Sequence, residues 1–290
     1  MLDLKVQFTE PIIISSIQAC RYGNHYMVRV HSADNMVGIV TTNNRLAYLW
    51  TILDQLICPF FIGKDARELK NLVRDIYLYR SIYKLAGIAL WNPVAYIELA
   101  ILDLLGQYAG KSAGSLLGTV IREHIPVYLS SLRRDTTAEE EVDWLAQRLE
   151  ETGASAVKLK VGGRMSQNAD AHPGRTDRLI PLARQTFGED IAIYVDANGS
   201  YDAKYAIEKG AFLQEYGIAF FEEPCPWQEY SETKRVADAL DLPVAGGEQD
   251  SSLAQFQWML HNRVVDIVQP DIMYNGGMIR NLQVAQWAAG

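Results

Sequence analysis

The chain has 290 residues, of which 49% are hydrophobic and 21% are charged, as is usual for a folded globular protein. Its formal net charge of −8, without a basic stripe, argues against a nucleic-acid partner. The N-terminus does not resemble a signal peptide, and no segment reaches the roughly 18 apolar residues of a membrane helix. Three widely separated cysteines suit reduced thiols. We therefore expect a cytoplasmic protein with no membrane partner.

The first 124 residues predict a domain in which strands are followed by helices. Three β-rich runs come first, over residues 11–15, 26–31 and 37–42. From Leu46 onward the pattern is helical, and the apolar run that begins at Tyr96 predicts a buried helix ended by Gly106. The sequence therefore predicts an α+β unit over residues 1–124.

After residue 124 short strands alternate with helices. Six strands are predicted, over residues 127–131, 156–161, 191–196, 218–224, 244–248 and 265–271. The helix after the first of them opens with Thr137-Ala-Glu-Glu140, the spacing of a capping box. Six consecutive strand–helix units predict a parallel sheet with right-handed crossovers.

The strand ends favour a barrel over a doubly wound sheet. Polar residues end one strand after another, where TIM-type barrels place their active sites, and no Gly-x-Gly-x-x-Gly follows the first strand. Such a barrel needs about eight strands. We therefore expect C-terminal strands to be missing from this sequence. The predicted fold is α/β, with an α+β domain over 1–124 and a TIM-type β/α barrel over 125–290.

Acidic residues end three neighbouring strands at equal spacing. Glu222 lies 26 residues after Asp196, and Glu248 lies 26 residues after Glu222. Three carboxylates at one height on adjacent strands repel one another unless a cation neutralises them, and an all-oxygen ligand set favours Mg²⁺. Because neighbouring residues in a strand face opposite sides, Glu222, which keeps the spacing, is preferred to Glu223 as the ligand. A separate ion-pair or helix-capping role for each acid is the alternative.

Further polar residues end the strands on either side. Lys158 and Lys160 lie on one face of the preceding strand, and their repulsion near a metal ion would lower a lysine pKa toward that of a general base. Asp271 ends the sixth strand, where it would orient a histidine as a second base. The alternatives are two solvated lysines and an acid without a specific role.

Together these motifs resemble the enolase superfamily, in particular its mandelate racemase subgroup. The resemblance covers the whole chain and implies a modified (β/α)7β barrel beneath an N-terminal capping domain. The motifs that carry it are Lys158-x-Lys160, Asp196-Ala-Asn198, Glu222-Glu-Pro, Gly247-Glu248 and Gln269-Pro-Asp271 with Gly276-Gly277.

The resemblance implies a role for each of these residues. Lys160 would remove the proton on the carbon next to the substrate carboxylate, which gives an enediolate stabilised by the metal. Lys158 would adjust the pKa of Lys160 and contact the carboxylate. Asp271 would be the partner of a histidine on the next strand. The implied Mg²⁺ ligands are Asp196, Glu222 and Glu248, and the candidates for substrate binding are Asn198, Tyr22 and His25.

The second base is the one departure from the family pattern. No histidine follows His261 in this sequence. We expect that the sequence is incomplete; the alternative is a protein that lacks the second base and a closed barrel.

The resulting hypothesis is a Mg²⁺-dependent lyase that dehydrates an acid sugar. The alternatives are a racemase or epimerase of a 2-hydroxy acid and a truncated barrel without catalytic activity. We expect the partner to be a small-molecule carboxylate and the protein to be a homo-oligomer.

Overall fold

The computed structural model describes residues 4–290, which form two compact units. The first unit comprises residues 4–123, 248–257 and 270–290, and the second comprises residues 124–247 and 258–269. These units group residues by their contacts in the structure. The predicted domains, 1–124 and 125–290, are instead continuous stretches of the sequence. The domain limits stay a prediction.

The first unit contains an antiparallel sheet of three strands in the order β1-β2-β3. These are β1 (Ile14–Tyr22), β2 (His25–Ser32) and β3 (Val37–Thr42). The strand predicted over residues 11–15 in fact begins at Ile14 and continues to Tyr22. It extends this far because Gly23, with φ of +59°, makes the tight turn that pairs Tyr22 with His25.

The helices of the first unit pack on this sheet around one long helix, α5 (Ile88–Ala109). The helix predicted to end at Gly106 runs on to Ala109 and ends at Gly110, whose left-handed conformation is typical of a helix C-terminus. A Cβ at Gly106 would approach the carbonyl oxygen of Lys111, so the glycine serves close packing. The other α-helices are α1 (Leu4–Gln7), α2 (Leu46–Ile52), α3 (Cys58–Phe61), α4 (Leu69–Asp75), α6 (Ala113–Leu117) and α12 (Met278–Ala289). Non-α turns cover Leu53–Ile57, Ala66–Glu68 and Ile76–Leu85.

Helix α5 qualifies the expectation that no segment is apolar enough to cross a membrane. It is 22 residues long, and by length and composition alone it would pass as a membrane span. However, 78% of its most apolar window is buried inside the protein. A core helix of a globular protein passes the same test, so α5 is weak evidence for a membrane.

The second unit contains a parallel sheet of six strands in chain order. Its strands are β4 (Leu129–Ser130), β5 (Ala156–Lys160), β6 (Ala192–Asp196), β7 (Phe220–Glu222), β8 (Val244–Gly246) and β9 (Ile267–Val268). The helices that follow them are α7 (Ala138–Thr152), α8 (Arg175–Phe187), α9 (Ala203–Glu215), α10 (Tyr230–Ala239) and α11 (Leu253–His261), of which residues 253–257 belong to the first unit. The predicted α/β fold, with its strand–helix alternation and N-terminal antiparallel unit, is confirmed.

Alternation along the strands separates the core of the second unit from its polar face. Val157 and Leu159 of β5 are buried with Leu145 of α7 and Leu179 of α8 in one apolar cluster. The residues between and after them, Lys158 and Lys160, therefore project to the other face of the sheet.

Candidate active site

The register of the sheet brings a lysine and two acids into one row. Lys160 of β5 is paired with Asp196 of β6, which in turn is paired with Glu222 of β7. Each of the three is the last residue of its strand. All three are at least nine-tenths buried, so their charges act on one another with little screening by solvent.

Each lysine of β5 pairs with one carboxylate of this row. Lys158 Nζ donates a hydrogen bond of 2.7 Å to Glu222 Oε2 and lies 3.6 Å from Asp196 Oδ2. Lys160 Nζ donates to Asp196 Oδ2, and also to Asn198 Oδ1 at 3.2 Å. Two buried cations thus face two buried anions, and the local charge is balanced.

The pKa of Lys158 reflects this balance. Burial by itself would lower the pKa, but the carboxylates of Glu222 and Asp196 outweigh burial and raise the pKa above its ordinary value. The sequence analysis predicts a lowered lysine pKa only when a metal ion is bound near the lysines. That lowering stays a prediction.

Asn198 connects the lysine side of the site to its acidic side. Its Oδ1 accepts hydrogen bonds from Lys160 Nζ and, at 2.6 Å, from Arg134 Nη2. Its Nδ2 donates to Asp196 Oδ2 at 3.3 Å and to Glu223 Oε2 at 3.2 Å. Its backbone N–H donates to Asp196 Oδ1 at 2.8 Å, and its φ of +42° lies in the left-handed region that asparagine tolerates. The side chain predicted to bind substrate therefore also orders the charged groups around it.

Glu223 departs from strict alternation. The pleat of a strand places Glu222 and Glu223 on opposite faces, yet both are buried, and Glu223 accepts a hydrogen bond from Asn198 on the polar face. This is possible because β7 ends at Glu222 and Glu223 has a φ of +42°, which turns the chain. Glu222 keeps the in-register position, as the spacing predicts.

The structure adds two side chains that the motifs did not indicate, Arg134 and Arg175, and a contact of Gln269, which lies in one of the motifs. Arg134 follows β4 and reaches Asn198, and Arg175 Nη1 donates to the carbonyl oxygen of Lys160 at 2.8 Å. Gln269 Nε2, just beyond β9, donates to Glu222 Oε2 at 3.3 Å. Arg134 and Gln269 lie shortly after the ends of β4 and β9. Their position near strand ends is the sequence feature that could have indicated them. Arg175 begins a helix, and only the tertiary structure places it here.

The remaining candidates belong to the first unit. Glu248 lies two residues beyond the end of β8 and accepts a bond of 2.9 Å from Gln249. Asp271 Oδ1 accepts from the backbone N–H groups of Met273 and Tyr274, both at 2.8 Å, which fixes a turn.

Tyr22 and His25 occupy facing positions at the tip of the β1–β2 hairpin. Residues 21–25 consist of two strand ends joined by a two-residue turn. Tyr22 is 78% exposed, so its hydroxyl is accessible to small molecules.

The donor chemistry of the second unit fits a hard divalent cation. Asp196 and Glu222 are buried carboxylates on neighbouring strands in register. Oxygen ligands of this kind suit Mg²⁺. Within residues 4–290, no three His, Cys, Asp or Glu side chains converge closely enough to hold a metal ion. In this structure the lysine ammonium groups provide the positive charge beside the acids.

Comparison with known proteins gives one family match and several similar structures. The family described as Enolase C-terminal domain-like matches residues 140–290. The structure of a proposed racemase from Roseobacter denitrificans is 35% identical with a TM-score of 0.90, over 96% of this chain and 75% of that chain. A mandelate racemase/muconate lactonizing protein from Paracoccus denitrificans PD1222, complexed with magnesium, is 28% identical with a TM-score of 0.87, over 96% of this chain and 77% of that one.

A curated relative adds the name of an activity. The arabinonate dehydratase of Saccharolobus solfataricus is 28% identical over 269 residues, which cover 89% of this chain and 68% of that protein. Two further curated relatives are covered to 60% and 62% of their length. The chain therefore spans between 60% and 68% of the length of these three curated relatives.

Proposed function

Because this chain belongs to the enolase superfamily, within the mandelate racemase and muconate lactonizing enzyme family, we propose that it removes the α-proton of a carboxylate substrate in a Mg²⁺-dependent reaction. The row of Lys160, Asp196 and Glu222 across three paired strands is the observation that carries the proposal. It places a potential proton acceptor next to two potential cation ligands in a site with little solvent.

Asp196 and Glu222 would hold the cation, with Glu248 as the third ligand on the family pattern. Bound Mg²⁺ would supply the positive charge that stabilises negative charge on the substrate carboxylate as the proton leaves. The lysine pairs seen in the structure fit this assignment, since both acids already face positive charge.

Lys160 is the proposed base. Its Nζ is held between Asp196 Oδ2 and Asn198 Oδ1, so the ammonium position is defined before substrate binds. After loss of one proton the same nitrogen can accept the α-proton. Lys158, held against Glu222, would keep positive charge beside the substrate carboxylate.

Dehydration of an acid sugar is the favoured outcome after proton removal. Loss of the neighbouring hydroxyl group gives an enol that becomes a 2-keto acid, and the similarity to an arabinonate dehydratase supports this reaction. Racemisation, in which the proton returns to the other face, is the second candidate because the Roseobacter denitrificans structure is that of a proposed racemase.

Incubation of the protein with a panel of aldonic and aldaric acids in D₂O tests the proposal. We expect loss of the α-proton from at least one member of the panel and formation of a 2-keto acid that carries deuterium at C3, the carbon that lost its hydroxyl group. Both signals should be absent after addition of EDTA. A racemase would show exchange without the keto product. Exchange that proceeds unchanged in EDTA would contradict the Mg²⁺ dependence.

The Lys160→Ala variant tests the assignment of the base in the same assay. Removal of a positioned base should slow α-proton exchange by about 10²-fold or more. Binding of Mg²⁺, followed by calorimetry, should persist because both proposed ligands of the second unit remain. Exchange at the wild-type rate would show that Lys160 is not the base.

A further inference from the structure

A cavity of about 560 Å³ lies within the first unit. It is bordered by α4, by the start of α5, by residues 252–254 and by α12. Its volume falls in the range of small-molecule binding sites, about 300–1,000 Å³. Val73, Leu253 and Ile279 give it apolar walls, and Tyr77 and Trp91 give it aromatic ones.

The charged lining of this cavity is entirely basic. Among the described residues that border it, Lys70, Arg74 and Arg280 carry positive charge and none carries a carboxylate. Arg74 is exposed and pairs with Asp75 at 2.7 Å, so its charge is partly met at the surface. Lys70 lies one helical turn before Arg74 on the same face of α4.

Arg280 is the most buried of the three and is held rigidly. Its guanidinium carbon lies 3.5 Å from the centre of the Trp91 ring, which in turn stacks on Tyr77. Its Nε donates to the carbonyl oxygen of Asn275 at 2.5 Å, and its Nη2 donates to that of Ser251 at 2.8 Å. In the part of the chain that the structure describes, no hydrogen bond engages Nη1.

The charge of Arg280 is not neutralised by a neighbouring acid. Arg280 forms no ion pair with a carboxylate of residues 4–290, although it is only 7% exposed. Glu98 acts on Arg280 electrostatically, and burial raises the pKa of Glu98 to about 8. A buried cation of this kind is costly unless an anion meets it.

We propose that this cavity binds a small organic anion whose carboxylate or phosphate group contacts Arg280 and Lys70 and whose apolar body packs against the aromatic and aliphatic walls. Because Nε and Nη2 are held by carbonyl oxygens, the fixed guanidinium presents Nη1 to an oxyanion without a further cost in side-chain ordering. Such a site is separate from the proposed reaction and does not depend on it.

Calorimetric titration of the full chain with benzoate and with phenyl phosphate, in the absence of Mg²⁺, tests the proposal. We expect saturable binding of at least one of the two anions, and none of benzyl alcohol, which has the apolar body without the charge. The proposal would be overturned if neither anion binds at concentrations up to about 10 mM, which corresponds to a binding free energy weaker than about −3 kcal/mol.

Matched substitutions locate the binding. Arg280→Lys should weaken the affinity about tenfold or more, because the donor Nη1 is lost, and Lys70→Gln should weaken it about threefold. Lys64→Gln removes an exposed charge outside the cavity and should leave the affinity unchanged, as should Lys160→Ala in the second unit.

Two results would overturn the assignment to this cavity. One is unchanged affinity in the Lys70→Gln protein, whose substitution is on the surface of α4 and is compatible with folding. The other is a loss of affinity in the Lys160→Ala protein equal to that in the Arg280→Lys protein, since this would place the anion at the candidate active site.

Discussion

At the level of single residues, Arg134 and Lys160 donate hydrogen bonds to the same amide oxygen of Asn198. Because two cations face Oδ1, the amide nitrogen must face the carboxylates of Asp196 and Glu223. Burial and then the nearby guanidinium groups of Arg164 and Arg175 lower the pKa of Arg134, although Asp196 offsets part of the effect. Arg134 therefore positions the proposed base through Asn198.

Arg134→Gln should slow α-proton exchange by about tenfold, since one hydrogen bond to a charged group, about 1.5–3 kcal/mol, no longer orients Asn198. The affinity for Mg²⁺, measured by calorimetry, should change little because the carboxylates remain. Arg148→Gln is the matched control, since Arg148 forms an exposed pair with Glu151 on α7. Equal effects of the two substitutions on exchange would show that Arg134 has no positioning role.

At the level of elements, the start of α7 shows how a local motif supports the site. Thr137 Oγ1 accepts from the N–H of Glu140, and Glu140 Oε2 accepts from the N–H of Thr137, so the predicted capping box is formed. Acidic side chains in the first turn of the helix complement its dipole. Glu141, the residue after the capping box, is fully buried, and its Oε2 lies 3.7 Å from Arg175 Nη2. Arg175 in turn donates a hydrogen bond to the carbonyl oxygen of Lys160.

Thr137→Ala should lower the free energy of unfolding by about 1 kcal/mol, within the range of about 0.5–2 kcal/mol for lost N-caps, because the N–H of Glu140 loses its acceptor. Urea denaturation measures the change. Thr152→Ala, at the exposed end of the same helix, should change it by no more than about 0.5 kcal/mol. Similar losses in both variants would argue against a specific contribution of the cap.

At the level of the whole chain, Glu98 joins segments that are far apart in sequence. It lies in the middle of α5 and accepts a hydrogen bond of 3.0 Å from the N–H of Ile279 in the first turn of α12, 181 residues away. A Cβ on Gly277 would lie 2.3 Å from the carboxyl carbon of Glu98, and Gly277 has a φ of +106°. The second glycine of the Gly276-Gly277 pair is therefore required by this contact.

Glu98 should make the protein less stable as the pH rises. Burial raises its pKa from 4.5 to about 8, although the N–H groups of α12 and Arg280 oppose the shift. Between these two values the folded chain holds a proton that the unfolded chain releases. The stabilising contribution is therefore complete below the unfolded value and is lost as the pH approaches 8.

Denaturation of the wild-type protein and of Glu98→Gln at pH 5.5 and pH 8 measures this effect. The wild type should lose a few kcal/mol relative to the variant over this interval, since the neutral amide does not titrate. Parallel pH dependence of the two proteins would show that Glu98 is not the titrating group.

Much of the second unit follows from local patterns in the sequence. Strand periodicity predicted all six parallel strands, and the step of 26 residues from Asp196 to Glu222 matches their pairing in register. The equal step to Glu248 does not match, because Glu222 pairs with Ala245, three residues before Glu248. The capping box at Thr137 was readable from the sequence, since all its atoms lie within one helical turn.

Features set by distant contacts were decided only by the tertiary structure. Arg134, Arg175 and Gln269 reach the polar face because strands and helices far apart in sequence pack together there, and Glu223 turns onto that face through a left-handed backbone conformation. Local periodicity and spacing were enough to predict the order of the strands and the alignment of Asp196 with Glu222. The hydrogen bonds that orient these carboxylates, and the contact of Glu98 with Gly277, depend on geometry that no local pattern encodes.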